Sequence, residues 1–163
     1  MMRRGLTLRE VRWALLGVFV LVSAACPKTL PPNATPQMKM AKYAGDVMAG
    51  VREVQRVTAA LEAGRVVTEA QAADVMAVSI KIGRAGTQLA SALTLYNAAV
   101  DLASRKLALA DALEALDTID RELKVLLKPL DGSGAKAQFV DVVTEIIKAA
   151  WTVRMLLDRK SVV

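Results

Sequence analysis

Thr35 to Gly64 reads TPQMKMAKYAGDVMAGVREVQRVTAALEAG, and this stretch decides the fold. Threonine followed by proline is a favoured helix start: the hydroxyl caps a free backbone N–H, and the ring presets φ at the first helical position. Behind it, Met40, Ala44, Val47, Val51, Val54, Thr58 and Leu61 recur in alternating steps of four and three. That spacing lays one apolar or small seam along a single helix face, as a helix-facing surface requires. Gly64 is the expected stop.

The same grammar repeats downstream. Thr68 and Gln71 form a capping box for a second helix, whose seam runs Val75, Ser79 or Val78, Ile82, Gly86, Leu89, Leu93, Tyr96 and Val100. No proline or glycine breaks the chain between Asp101 and Lys106, so the pattern allows one helix of about sixty residues, far beyond the usual length. A tight turn capped by Asp101 or Ser104 is preferred. The third seam is Leu109, Leu113, Leu116, Ile119, Leu123, Leu126, Leu127 and Leu130, stopped by Pro129 and Asp131-Gly132-Ser133-Gly134. The fourth helix is expected from about Ala135 to Arg159, with Phe139, Val143, Ile146, Ala150, Val153 and Leu157 inward. Four amphipathic helices with short connections predict an all-α, antiparallel up-down four-helix bundle over 37–160.

Upstream, Pro27, Pro31, Pro32 and Pro36 make residues 26–36 a polyproline-like tether, able to span roughly 30 Å. Before it, Met1–Arg12 carries four arginines and one acid, Trp13–Ala25 carries no charge, and Ser23-Ala24-Ala25-Cys26 ends the run. A basic start, an apolar middle and small residues at a cleavage point read as a bacterial export signal over 1–25. The run is shorter than the roughly 20 apolar residues of a membrane span. Its ending resembles the lipobox of bacterial lipoproteins, with Ser23 where that family usually has leucine. The resemblance covers about the first 26 residues and implies lipidation of Cys26 after cleavage. Plain secretion and an uncleaved anchor are the other readings of the segment. Cys26 is the only cysteine, at the one position where a lipid would be attached. Pro27 and Lys28 are not the acidic residue that the family associates with inner-membrane retention, which leans the expectation to the outer membrane.

Setting residues 1–25 aside changes the charge balance. The chain carries 22 Lys and Arg against 16 Asp and Glu. Half of that excess of six lies in Arg3, Arg4, Arg9, Arg12 and Glu10. The remainder is only mildly basic, short of the dense positive charge that nucleic-acid binding needs. Ile82-Gly83-Arg84-Ala85-Gly86-Thr87-Gln88-Leu89 looks like the Gly-x-x-Gly loop of KH domains, which would clamp single-stranded nucleic acid. That family also needs three β-strands, and no alternating β-branched run stands nearby. The expected role is packing, with Gly86 and Ala90 letting a neighbouring helix approach.

The chain has no histidine. The His-dependent triads, and the Glu-x-x-His or axial-histidine cofactor sites common in helical bundles, are therefore ruled out. Asp111, Glu114, Asp117, Asp120 and Glu122 read as a solvated face, with Asp117–Arg121 and Asp120–Lys124 as i,i+4 pairs. Trp151 is expected as a filler at the core edge, and Met48, Met76 and Met155 as core. The function expected is that of a non-catalytic, lipid-anchored envelope module, without cofactor, metal or nucleic acid. Its partners would be the membrane, through the anchor, and another envelope protein. The alternative is an exported protein acting on membrane or wall through its basic ends or a carboxylate site.

Overall fold

The computed structural model describes residues 30–161, with side chains through Asp158; the expected signal segment and Cys26 lie outside them. Among the described residues the protein is all-helical, with four α-helices: α1 (Pro36–Ala63), α2 (Glu69–Ala98), α3 (Leu102–Leu126) and α4 (Val140–Ser161). Two short 3₁₀ segments, Lys128–Leu130 and Gly134–Phe139, join α3 to α4.

Each start is fixed by local hydrogen bonding. The Thr35 hydroxyl accepts the Met38 N–H at 3.2 Å, with Pro36 behind it. Thr68 and Gln71 close a reciprocal capping box: the Gln71 N–H donates to the Thr68 hydroxyl, and the Thr68 N–H donates to Gln71 Oε1. Asp101 caps α3, one carboxylate oxygen accepting the Ser104 N–H at 2.8 Å and the other the Ser104 hydroxyl at 2.7 Å. These bonds satisfy donors that a helix start leaves open. They hold the carboxyl of Asp101 below the usual carboxylate range. The turn near Asp101 is real, so α2 and α3 are separate helices. Its guanidinium donor, Arg105, bonds back to Ala99 O.

α1 stops at Gly64, as expected, but the left-handed residue comes one position later. Gly64 keeps right-handed geometry with φ −78°, and Arg65 takes the left-handed position at φ 57°. Arg65 N–H donates to Glu62 O and Val66 N–H to Leu61 O, a Schellman closure with arginine where glycine is usual. After α3, Gly132 at φ 83° turns the chain. The fourth helix becomes α-helical only at Val140, because 134–139 form 3₁₀ turns that seat the fully buried Phe139.

Among the described residues, one core joins the four helices. All seven expected seam residues of α1 are buried. The α2 seam holds from Val75 to Tyr96 and fails at Val100, which lies beyond the helix end and is exposed. On α3, Leu109 and Leu113 are only half-buried, while Ala108, Ala112 and Ala115 are buried with Leu116 and Ile119. α1 packs on α2 and α4, α2 packs extensively on α3, and α4 meets α3 only lightly. The helices approach closely at glycines. A Cβ at Gly50 would overlap Ile146 Cγ1 and stand 2.9 Å from its Cδ1; one at Gly86 would stand 2.5 Å from Met48 Sδ. Buried hydroxyls are satisfied: Gln55 donates to Ser79, which donates to Met76 O, and Thr58 donates to Val54 O.

Candidate functional site: an apolar groove beside α4

Because α4 turns its buried face (Ile146, Ala149, Ala150, Val153, Leu157) toward the core it shares with α1, its other flank is left partly open. Ile147, Trp151 and Met155 fall four residues apart on that flank, and all three are exposed, Trp151 by 62%. Leu116, Leu123 and Ala150 lie at the bottom of a groove between α3 and α4, with Asp120 and Arg154 at its rim. An ion pair between Arg154 and Asp117 ties the two helices across the opening. The result is a contiguous apolar strip with a tryptophan at its centre and charges along the edge. Such a surface recognises by burial and shape, since its aromatic anchor gains most when water is removed.

The structure corrects several expectations here. Trp151 is not a filler at the core edge, and Met155 is not core; both face solvent. Asp117 reaches across to Arg154 rather than pairing with Arg121 along its own helix, and Arg121 sits near Thr118 and Glu122. Asp120 and Lys124 do pair, at 2.8 Å. Glu122 lies 3.8 Å from Lys81 on α2.

Asp111 and Glu114 line a different depression, between α2 and α3, with Thr87, Gln88, Ser91 and Thr118. Both carboxylates are exposed, and the depression is open to water. Among the described residues, no group of three His, Cys, Asp or Glu side chains is placed to hold a metal ion.

The Gly-x-x-Gly stretch lies inside α2, not in a loop between two helices. Ile82, Ala85, Gly86 and Leu89 are buried there, and Gly83 faces Val51 at 3.5 Å from where a Cβ would stand. Gly86 therefore does admit α1, but Ala90 is exposed and takes no part; Gly83, opposite Val51, is its packing companion.

No helix among the described residues is long and apolar enough to cross a membrane. Cys26 lies outside the described residues. Comparison with protein-family models, with curated proteins and with solved structures gave no match.

Proposed function

We propose that this chain is a lipid-anchored protein of the bacterial envelope, tethered through Cys26, whose helices form a non-catalytic module that binds another envelope protein along the α3–α4 groove. The observation that carries the reading is the exposed strip Ile147, Trp151 and Met155 beside that groove. Apolar residues scattered singly on a surface are ordinary, but a strip at helical spacing against an open groove is the form that accepts a partner's side chains.

The helices are read as an antiparallel up-down bundle. Support comes from paired positions: Met48 with Gly86, Val51 with Gly83 and Gln55 with Ser79 between α1 and α2. Lys81 of α2 pairs with Glu122 of α3, and Gln71 of α2 with Pro129 in the 3₁₀ segment just after α3. In each series one number rises as the other falls. The anchor is supported by Ser23-Ala24-Ala25-Cys26 and the apolar run before it. The same residues support export to the outer side of a membrane, and Pro27 and Lys28 favour the outer membrane where two exist.

Two measurements test the proposal. Labelled fatty acid should enter the wild-type protein, and Cys26→Ser should abolish that uptake and move the protein out of the membrane fraction. A photo-crosslinking residue at position 151 should give a discrete adduct in intact envelopes, and one at exposed Lys128 should not. No uptake sinks the anchor. Equal, diffuse crosslinking at both positions sinks the groove.

A further inference from the structure

The corner between α2 and α3 carries a second apolar surface, unrelated to the groove. Val100 is 97% exposed and Leu107 69%, with Leu95 and Leu102 also exposed beside them. Leu95 and Leu107 line one shallow depression with Ala98, Ala99 and Ala108, edged by Ser104 and Asp111, so apolar surface spans the two helices there. Ala99 has both backbone groups paired, its N–H to Leu95 O and its carbonyl to Arg105.

The end of the molecule on which the corner sits bears on what covers it. The α1–α2 pairs 48/86, 51/83 and 55/79, continued at the same step, set Pro36 opposite Ala98. The chain therefore enters the helices at the end where this corner lies, ten residues after Cys26.

Charge follows the same axis. Segments 36–42 and 95–107, at this end, hold Lys39, Lys42, Arg105 and Lys106 against Asp101, with Lys42 paired to Asp46. Segments 62–69 and 124–141, at the other end, hold four of each. The first turn of α1 contains no acid and holds Lys39, where the helix dipole favours negative charge; α3 starts on the Asp101 carboxylate, with Arg105 and Lys106 behind it. A cation kept at the start of α1 against the dipole is consistent with an external anionic surface.

We infer that the α2–α3 corner docks on the anionic bilayer surface that holds the anchor, with Val100 and Leu102 entering the headgroup boundary and Arg105, Lys106 and Lys39 facing lipid phosphates. The inference rests on the tethered reading above. An apolar tip flanked by basic residues has the chemistry of an interfacial contact, in which apolar groups sink about 5–10 Å and cations meet the surface charge. A lipid chain on Cys26 would by itself leave the orientation of the helices free; the corner would fix it, turning the groove beside α4 sideways to the membrane.

The test uses the full chain with Cys26→Ser, so that a single new cysteine can be labelled with a polarity-sensitive dye, placed at Val100→Cys or, as control, at Lys128→Cys. Both positions are exposed, so neither label disturbs the core; helicity of each variant is checked by circular dichroism. Vesicles of phosphatidylethanolamine and phosphatidylglycerol with brominated acyl chains are then added. The expected result is that the dye at 100 shifts to the blue and loses more than about half its emission, as burial at interfacial depth implies, while the dye at 128 is unchanged. The loss at 100 should shrink in vesicles without phosphatidylglycerol. Equal quenching at both positions, or none at 100, overturns the inference. So does crosslinking between two chains through position 100 in the absence of lipid, which would make a second copy the occupant. Fatty-acid uptake by the wild type is read separately. Uptake without quenching at 100 removes the inference and keeps the anchor; quenching at 100 without uptake removes the anchor and keeps the bilayer contact.

Discussion

Three glycines in helix interiors give the same substitution three different outcomes. Replacing glycine by alanine in a helix gains about 1 kcal/mol from backbone entropy alone. At Gly45 a Cβ would meet nothing within 4 Å, so Gly45→Ala should keep the whole gain. At Gly86 the new methyl would press on Met48 Sδ, the movable part of a flexible thioether, at 2.5 Å. Shifting that side chain should consume most of the gain and leave Gly86→Ala near neutral, within about 0.5 kcal/mol. At Gly50 the methyl would overlap Ile146 Cγ1, part of a β-branched side chain that is itself buried. Overpacking of this kind costs about 1–3 kcal/mol, so Gly50→Ala should end as a net loss of up to about 2 kcal/mol. Urea unfolding followed at 222 nm separates the three, because 1 kcal/mol moves the midpoint by about 0.5 M for a slope of about 2 kcal/mol/M. A double-mutant cycle with Ile146→Ala should then show a coupling of about 1–3 kcal/mol, the clash vanishing with the side chain. If Gly50→Ala stabilises as much as Gly45→Ala, α1 and α4 do not approach at this point and the packing described above is wrong.

Other substitutions check the remaining assignments. Leu89→Ala and Leu116→Ala should each cost about 2–5 kcal/mol through lost burial and a residual cavity, whereas Trp151→Ala should cost under about 1 kcal/mol and abolish any adduct through the groove. Asp101 is held below its ordinary pKa by the bonds from Ser104. Its contribution to folding is therefore present above the unfolded value of about 3.9 and is lost as pH falls through the lower folded value. Amide exchange at Ser104 should rise over that acid window in the wild type and stay flat in Asp101→Asn, which keeps a cap but cannot lose a charge. At Arg65, Gly or Asn should stabilise by about 1 kcal/mol in a melt, because the arginine Cβ at φ 57° crowds the following carbonyl; a loss there would mean the arginine does something the backbone geometry omits.

The parts of the fold that were legible in the sequence are those set by periodicity and by local hydrogen bonding. The α1 seam, the Thr68–Gln71 box and the Asp101 cap all lie where residue type alone places them. The α3 seam was less legible, because large apolar residues draw attention and alanines do not. The buried positions include Ala85 and Ala92 on α2 and Ala108, Ala112 and Ala115 on α3, while Leu109 and Leu113 are only half-buried. Only the spacing between two helices decides which residue size fits, and that spacing is not encoded in either helix by itself. Trp151 was misplaced for a related reason. It sits next to a seam residue, and its exposure depends on how lightly α4 meets α3, which is a property of the assembled core. Arg65 left no signal, since a glycine one residue earlier offered a simpler stop. The groove could be foreseen only as a category, an exposed apolar patch.

The uneven partnership of α4 also sets an order of assembly. α2 and α3 are joined by the three residues Ala99 to Asp101 and share the broadest contact, so their pairing closes a short loop. α4 instead docks mainly on α1, bringing Ile146 to Gly50 across almost the whole intervening chain. Long-range closures of this kind come late, because their entropy must be met before their contacts form. On a chain delivered from its N-terminus, α1 thus waits with an uncovered face until the last helix arrives. The surface exposed longest during folding is then the α1 strip around Gly50, and mutations in α4 should speed unfolding more than they slow refolding.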